Sequence, residues 1–363
     1  MRLLKFLKYR KLVLYSLKRN HRIPLFSDGM VEYIDLHVEN GLPVDMVRVN
    51  SNKNGHYKDD LIFQGINYLE NIACSPIFNE IKICFEIIEN DSINAFATKI
   101  HNCSSPTYLV AINSGLVREY VNHFVNDSTI GNMIEGFKSV NQVHTDHLKD
   151  AALSMAICFI AFHELGHIFR GHLNYLKKKY SVEVIHEISA NKNWIDGEAY
   201  NEIRHLLECD ADAFAGSLMF SEVISRYKNG LESDSIVGDQ DTLLEELAIF
   251  CGSIIYYIFC LFDRNKTKFD GYYPVPPIRA LIAMGHLGAQ LYKEGVDEFK
   301  AQQLLIESLV RAQVVINRKN IRQTTKSLDA EYKRWSAKYM EKLKQLEKVL
   351  VPYIPIKAHS RDK

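Results

Sequence analysis

Phe162-His163-Glu164-Leu165-Gly166-His167-Ile168 is the stretch from which the rest of this 363-residue chain is read. It closes an apolar run, Ala156 to Phe162, in a long helix-periodic segment. Met155, Phe159, Phe162, Gly166 and Phe169 recur at spacings of four and three and mark its core face. Residues four apart on a helix lie on nearly the same side, with about 6 Å between Cβ atoms. His163 and His167 can therefore offer two imidazole nitrogens to one ion. Glu164, one residue on, points to where a water in the ion's open position would sit, and it can take that water's proton. The pattern is that of two zinc ligands and a general base, the arrangement of a metal-dependent peptidase. Gly166 costs a helix about 1 kcal/mol relative to Ala, so its place on the packed face predicts a close backbone approach.

A catalytic zinc needs a third protein ligand. A histidine six residues beyond His167 would fall at position 173, where Leu173 stands. His172 is one position early and, on a continuous helix, is rotated away. The segment Glu208-Cys209-Asp210-Ala211-Asp212 offers a better source. Glu208 and Asp212 share a helical face. Glu208 can complete a His-His-Glu set, and Asp212 can accept a hydrogen bond from the free nitrogen of a ligand histidine, fixing its tautomer. His205 lies on the same stripe and is the alternative ligand.

Composition narrows the rest. Lys plus Arg (44) equals Asp plus Glu (44), so bulk charge gives no support for a nucleic-acid partner. The seven cysteines are scattered without a Cys-x-x-Cys pair, which suits a reducing, cytoplasmic compartment. Residues 1–22 carry eight basic and no acidic side chains, with no apolar run long enough for a signal peptide. They read as a solvated basic helix packing its leucines on the domain, or as a peripheral segment on an anionic membrane surface. The uncharged 16-residue run Leu247 to Phe262 is short for a membrane span and predicts a buried core helix.

Along the chain, residues 23–80 carry no clear pattern. Strands are expected at Ile81 to Ile87, Ile93 to Thr98 and Thr107 to Ile112, followed by a helix carrying Leu116, Tyr120 and Phe124. One long helix is expected from about Lys149 to Lys177, then a loop over 181–199. Further helices are expected at about Tyr200 to Tyr227 and Leu243 to Phe262, after the Gly271–Pro277 turn, and throughout the charged region beyond Val296. Strands first and helices after predict an α+β fold. Three parts are expected: a basic and mixed region (1–80), a catalytic domain (81–295) and a helical C-terminal extension (296–363).

His163-Glu-x-x-His167 with Glu208-x-x-x-Asp212 resembles the gluzincin peptidases of the HtpX and CAAX prenyl protease type. Asn94-Ala95-Phe96-Ala97, followed by Gly115-Leu116, is similar to that family's cleft-bordering strand. Tyr273-Pro-Val-Pro-Pro-Ile-Arg279 resembles its Pro-Pro-x-x-x-Arg segment. Within the group, Phe162 to Ile168 and Asp210-Ala-Asp212-Ala-Phe214 look closer to the Lit-type phage-exclusion peptidases. The resemblance implies a zincin-like domain with a small mixed or antiparallel sheet, and one Zn2+ per chain. It implies an extended protein or peptide substrate along the edge strand at Asn94 to Ala97, and cleavage of a host protein on phage infection. Two departures stand out. The flanking membrane hairpins are missing, and Tyr272 and Tyr273 replace a histidine before the Pro-Pro turn. Tyr273 or Arg279 would then stabilise the oxyanion. The competing reading is a latent or non-catalytic binding module that keeps the same fold.

Overall fold

The computed structural model describes residues 81–88, 90–100, 106–126, 145–182, 184–186, 198–232, 240–265, 275–317 and 321–355. The expectations for residues 1–80 and for Tyr272 and Tyr273 lie outside the described residues. The architecture is α+β. Four strands, β1 (Lys82–Ile88), β2 (Ala95–Ile100), β3 (Thr107–Asn113) and β4 (Val184–His186), form one sheet in the order β1-β3-β2-β4. β1 runs parallel to β3, while β2 is antiparallel to both β3 and β4, so the sheet is mixed.

β3 is buried along its whole length, as its Tyr-Leu-Val-Ala-Ile core predicts for a strand covered on both faces. The sheet corrects the expectation that Asn94 to Ala97 lies on an edge strand. β2 is not an edge, because Phe96, Ala97 and Thr98 are paired with His186, Ile185 and Val184. The predicted loop over 181–199 hid a strand of only three residues, too short to leave a period in the sequence.

Helix α1 (Ser114–Val121) follows β3 and runs into a π-helical turn, Asn122–Asn126. Leu116, Tyr120 and Phe124 are all buried there, on the face that the sequence predicts. Then come α2 (Thr145–Phe169), α3 (His172–Tyr180), α4 (Glu198–Glu232), α5 (Gln240–Asn265), α6 (Pro276–Lys293), α7 (Glu298–Asn317) and α8 (Ile321–Leu350). α2 packs on β2 and β3 and also meets α4 and α5. By length and composition, windows of α2 (151–169) and α5 (242–263) could cross a membrane. They are 94% and 78% buried inside the chain, as core helices are.

The single helix expected from Lys149 to Lys177 is in fact two. Gly171 sits at φ 79°, a left-handed conformation that costs glycine little and other residues more, and it ends α2 and starts α3. A side chain at Gly171 would also meet backbone: an ideal Cβ lies 2.6 Å from the carbonyl carbon of Tyr353. Tyr353 belongs to a 3-10 turn, Val351–Tyr353, at the end of α8. Its carbonyl accepts a hydrogen bond from Asn174 Nδ2 at 2.8 Å, and its ring meets Tyr175 edge to face. Further along, Trp335 of α8 joins Cys209 of α4 and Ile278 of α6 in a small second core. The C-terminal helix is thus fastened to α3, α4 and α6.

Candidate metal centre

His163 and His167 sit near the C-terminal end of α2, and Glu208 lies in the first half of α4. The two helices approach closely at Gly166, where an ideal Cβ would stand 3.1 Å from the Cα of Ala211. That approach, one turn from Glu208, brings the acid to the histidines. His163 Nε2 lies 3.2 Å from His167 Nε2 and 3.2 Å from Glu208 Oε2. The third side of the triangle, His167 Nε2 to Glu208 Oε2, is 3.7 Å. All three side chains are fully buried, and their ligand atoms could hold a metal ion. Glu164 is buried as deeply.

Each donor is held from behind. His163 Nδ1 lies 2.9 Å from Asp212 Oδ1, and Arg279 grips that carboxylate with Nε at 2.7 Å and Nη2 at 2.8 Å. A carboxylate bound in this way can only accept, so its charge 2.9 Å away favours the tautomer of His163 with the proton on Nδ1. The lone pair of Nε2 then faces the cluster. Glu208 Oε1 pairs with Arg204 Nη2 at 2.8 Å, which leaves Oε2 as the inward-facing oxygen. His167 Nδ1 is 2.9 Å from His172 Nδ1, His172 Nε2 is 3.0 Å from Asp210 Oδ2, and Arg170 forks Asp210 at 2.8 and 3.1 Å.

Burial lowers His167 to a pKa of about 3, against the pull of Glu208, so its ring is neutral. Burial alone would raise Glu208, but Arg204 and the two histidines outweigh it and hold the acid well below the ordinary carboxylate range. Asp210 falls to about 2 because His172 and Arg170 overcome its burial. The consequence for stability has a definite sign. Below its ordinary pKa of 6.5, His167 takes up a proton in the unfolded chain but not in the folded one. The metal-free protein should therefore lose stability as pH falls from 6.5 towards 3, and Asp210 extends the loss below 4. For His167 alone the slope approaches about 1.4 kcal/mol per pH unit. Urea denaturation in a chelator at pH 7.5 and pH 5 tests this. Equal midpoints would contradict it.

The remaining expected site residues are placed as follows. Arg279 is buried, with its fork on Asp212 and its guanidinium carbon 4.3 Å from the centroid of the Phe259 ring. Asn94 Oδ1 accepts from the amide of Ala95 at 3.0 Å, and Ala95, Phe96 and Ala97 are buried in the sheet. His205, the alternative ligand, is engaged elsewhere: Trp335 Nε1 donates to its Nε2 at 3.0 Å, and Tyr339 stacks on its ring. Sequence reasoning missed the part played by His172, Arg170 and Arg204. Gly171, the residue that turns His172 back towards the site, was the available signal. No protein-family model, curated protein or solved structure matches the chain.

Proposed function

We propose that this chain is a zinc-dependent endopeptidase of the gluzincin type, acting on an intracellular protein. The triangle of His163 Nε2, His167 Nε2 and Glu208 Oε2 carries the reading. Ligands at about 2.0–2.1 Å from a tetrahedral zinc stand about 3.3–3.4 Å apart. The three donor atoms are separated by 3.2, 3.2 and 3.7 Å. Two neutral imidazoles and one carboxylate are also the donor set that catalytic zinc takes in peptidases.

When bound, zinc supplies Lewis-acid polarisation of the scissile carbonyl and of the attacking water. The protein does the rest. Asp212 and Arg279 hold His163 in the ligand tautomer, and Arg204 turns one oxygen of Glu208 inward. Glu164 accepts the proton of the attacking water on its carboxylate and returns it to the leaving nitrogen as the C–N bond breaks. Arg279 acts in this scheme through Asp212. Because β4 covers the middle of β2, an extended substrate would pair with the free side of β4, the sheet edge beyond β2 among the described residues. In its narrowest form the proposal is a Lit-type role, cleavage of a host protein on phage infection. The site is cytoplasmic in this reading, and the basic composition of residues 1–22 would suit contact with the inner membrane surface.

One observation favours a second reading, latency. Glu164 and all three donors are fully buried, so substrate entry needs an opening motion. A latent enzyme carries metal but cleaves only when loosened, whereas a non-catalytic module carries metal and never cleaves.

The deciding experiment is elemental analysis of purified wild type beside His163→Ala and Glu208→Ala. About one zinc per chain in wild type, lost or weakened in both variants, is expected. Zinc retained in Glu208→Ala would remove that residue from the ligand set. A wild type without metal at neutral pH, with zinc supplied, would overturn the proposal.

A further inference from the structure

The zinc reading leaves one run of polar groups behind His167 without a purpose: His172, Asp210 and Arg170. We infer that His172 is a positioning residue, which locks His167 in the one tautomer able to bind metal; this rests on the zinc reading above. The run leads inward from the surface. Arg170 donates from Nε and Nη2 to the two oxygens of Asp210, at 2.8 and 3.1 Å. Asp210 is thereby held as a carboxylate and can only accept. His172 Nε2, 3.0 Å away, must carry the proton of that contact. A neutral His172 then has its lone pair on Nδ1, and the 2.9 Å contact with His167 Nδ1 can close only if His167 donates. The proton of His167 is thus fixed on Nδ1, and Nε2 is left bare towards His163 and Glu208.

His163 reaches the same state by a shorter route, directly through Asp212. The two ligand histidines are therefore set by two different devices, one a carboxylate and one a second imidazole backed by a carboxylate. Both nitrogens of His172 are occupied, so it serves the site as an acceptor and not as a fourth ligand. The inserted ring makes the second arm longer, and it spans the break at Gly171 between α2 and α3. The 2.8 Å hydrogen bond from Asn174 Nδ2 to Tyr353 O holds the first turn of α3 in place from outside.

The test is zinc affinity of the full-length chain, measured by competition with a chromophoric chelator, so that no substrate is needed. His172→Phe keeps the ring volume and removes both nitrogens; it should weaken zinc by about 10–100-fold. His172→Asn places a carboxamide oxygen near the position of Nδ1 and should recover most of that loss. Should His172→Phe fail to fold, Asp210→Asn provides the reading. It frees His172 to take either tautomer and should weaken zinc several-fold. Equal losses in His172→Phe and His172→Asn would mean that an acceptor at the position of Nδ1 is not what sustains affinity, and the inference would fall. Unchanged affinity in His172→Phe, or in Asp210→Asn, would overturn it as well. A wild type that binds no zinc would remove the metal reading itself, an outcome distinct from a wild type that binds zinc and a variant that binds it equally well.

Discussion

Replacing Glu164 with Gln is expected to leave about one zinc per chain and to lower peptide hydrolysis by about 10²–10⁴-fold, the usual contribution of a general base. The substitution keeps the shape of the side chain and removes its ability to accept a proton. Glu164 is not one of the three converging donors, so metal content should not move. A residue acting only on the chemical step should lower kcat far more than it changes KM. The same substitution has a second readout. Glu164 is fully buried, and a buried carboxylate costs folding energy that a neutral amide does not. The melting temperature of the variant should be equal to or higher than that of wild type, the usual sign of a group kept for activity. Undiminished cleavage of a peptide mixture by the variant would refute the mechanism.

The other large effect is expected at a glycine that has no chemistry of its own. Gly216 of α4 lies against α6 so closely that an ideal Cβ would be 1.8 Å from the carbonyl oxygen of Ala283 and 2.6 Å from its carbonyl carbon. Both atoms are backbone, so no side chain can swing aside, and one helix must move. Gly216→Val should cost at least the upper end of the about 1–3 kcal/mol typical of overpacking, and a larger loss is expected because rigid helices meet here. The damage should reach the candidate metal centre. α4 carries Glu208, Asp210 and Asp212, and α6 carries Arg279. Pushing the helices apart lengthens the Arg279–Asp212 fork, so zinc affinity should fall together with stability in denaturant titrations. A variant with wild-type stability would show that the crossing can relax, and would contradict the packing account.

Much of this centre could be read without coordinates because its parts lie at helical spacings. His163 and His167 are four residues apart on α2, and Glu208 and Asp212 are four apart on α4, so one periodicity argument serves both pairs. Gly166 was legible as a point of contact because a glycine on a packed helical face has few other uses. The α+β arrangement followed from alternation in β1 and from the order of the segments. The rest was hidden for specific reasons. His172 looks misplaced if α2 is assumed to continue, and only the left-handed backbone of Gly171 brings it beside His167. Asp210 and Arg170 are forty positions apart, a pairing that no local pattern encodes. β4 consists of three residues, too few for a period, and its pairing with Phe96 to Thr98 takes the middle of β2 off the sheet edge.

The contact between Asn174 and Tyr353 spans 179 positions. Closing so long a loop has an entropic cost, and contacts of such separation tend to form late. A chain still being synthesised therefore owns His163, His167 and Glu208 well before it owns the turn that steadies α3. Zinc taken up during synthesis meets a centre whose outer clasp has not yet been made, whereas zinc taken up after release meets a finished one. Under the zinc proposal, order of assembly, and not only equilibrium affinity, thus enters into how this centre would acquire its ion.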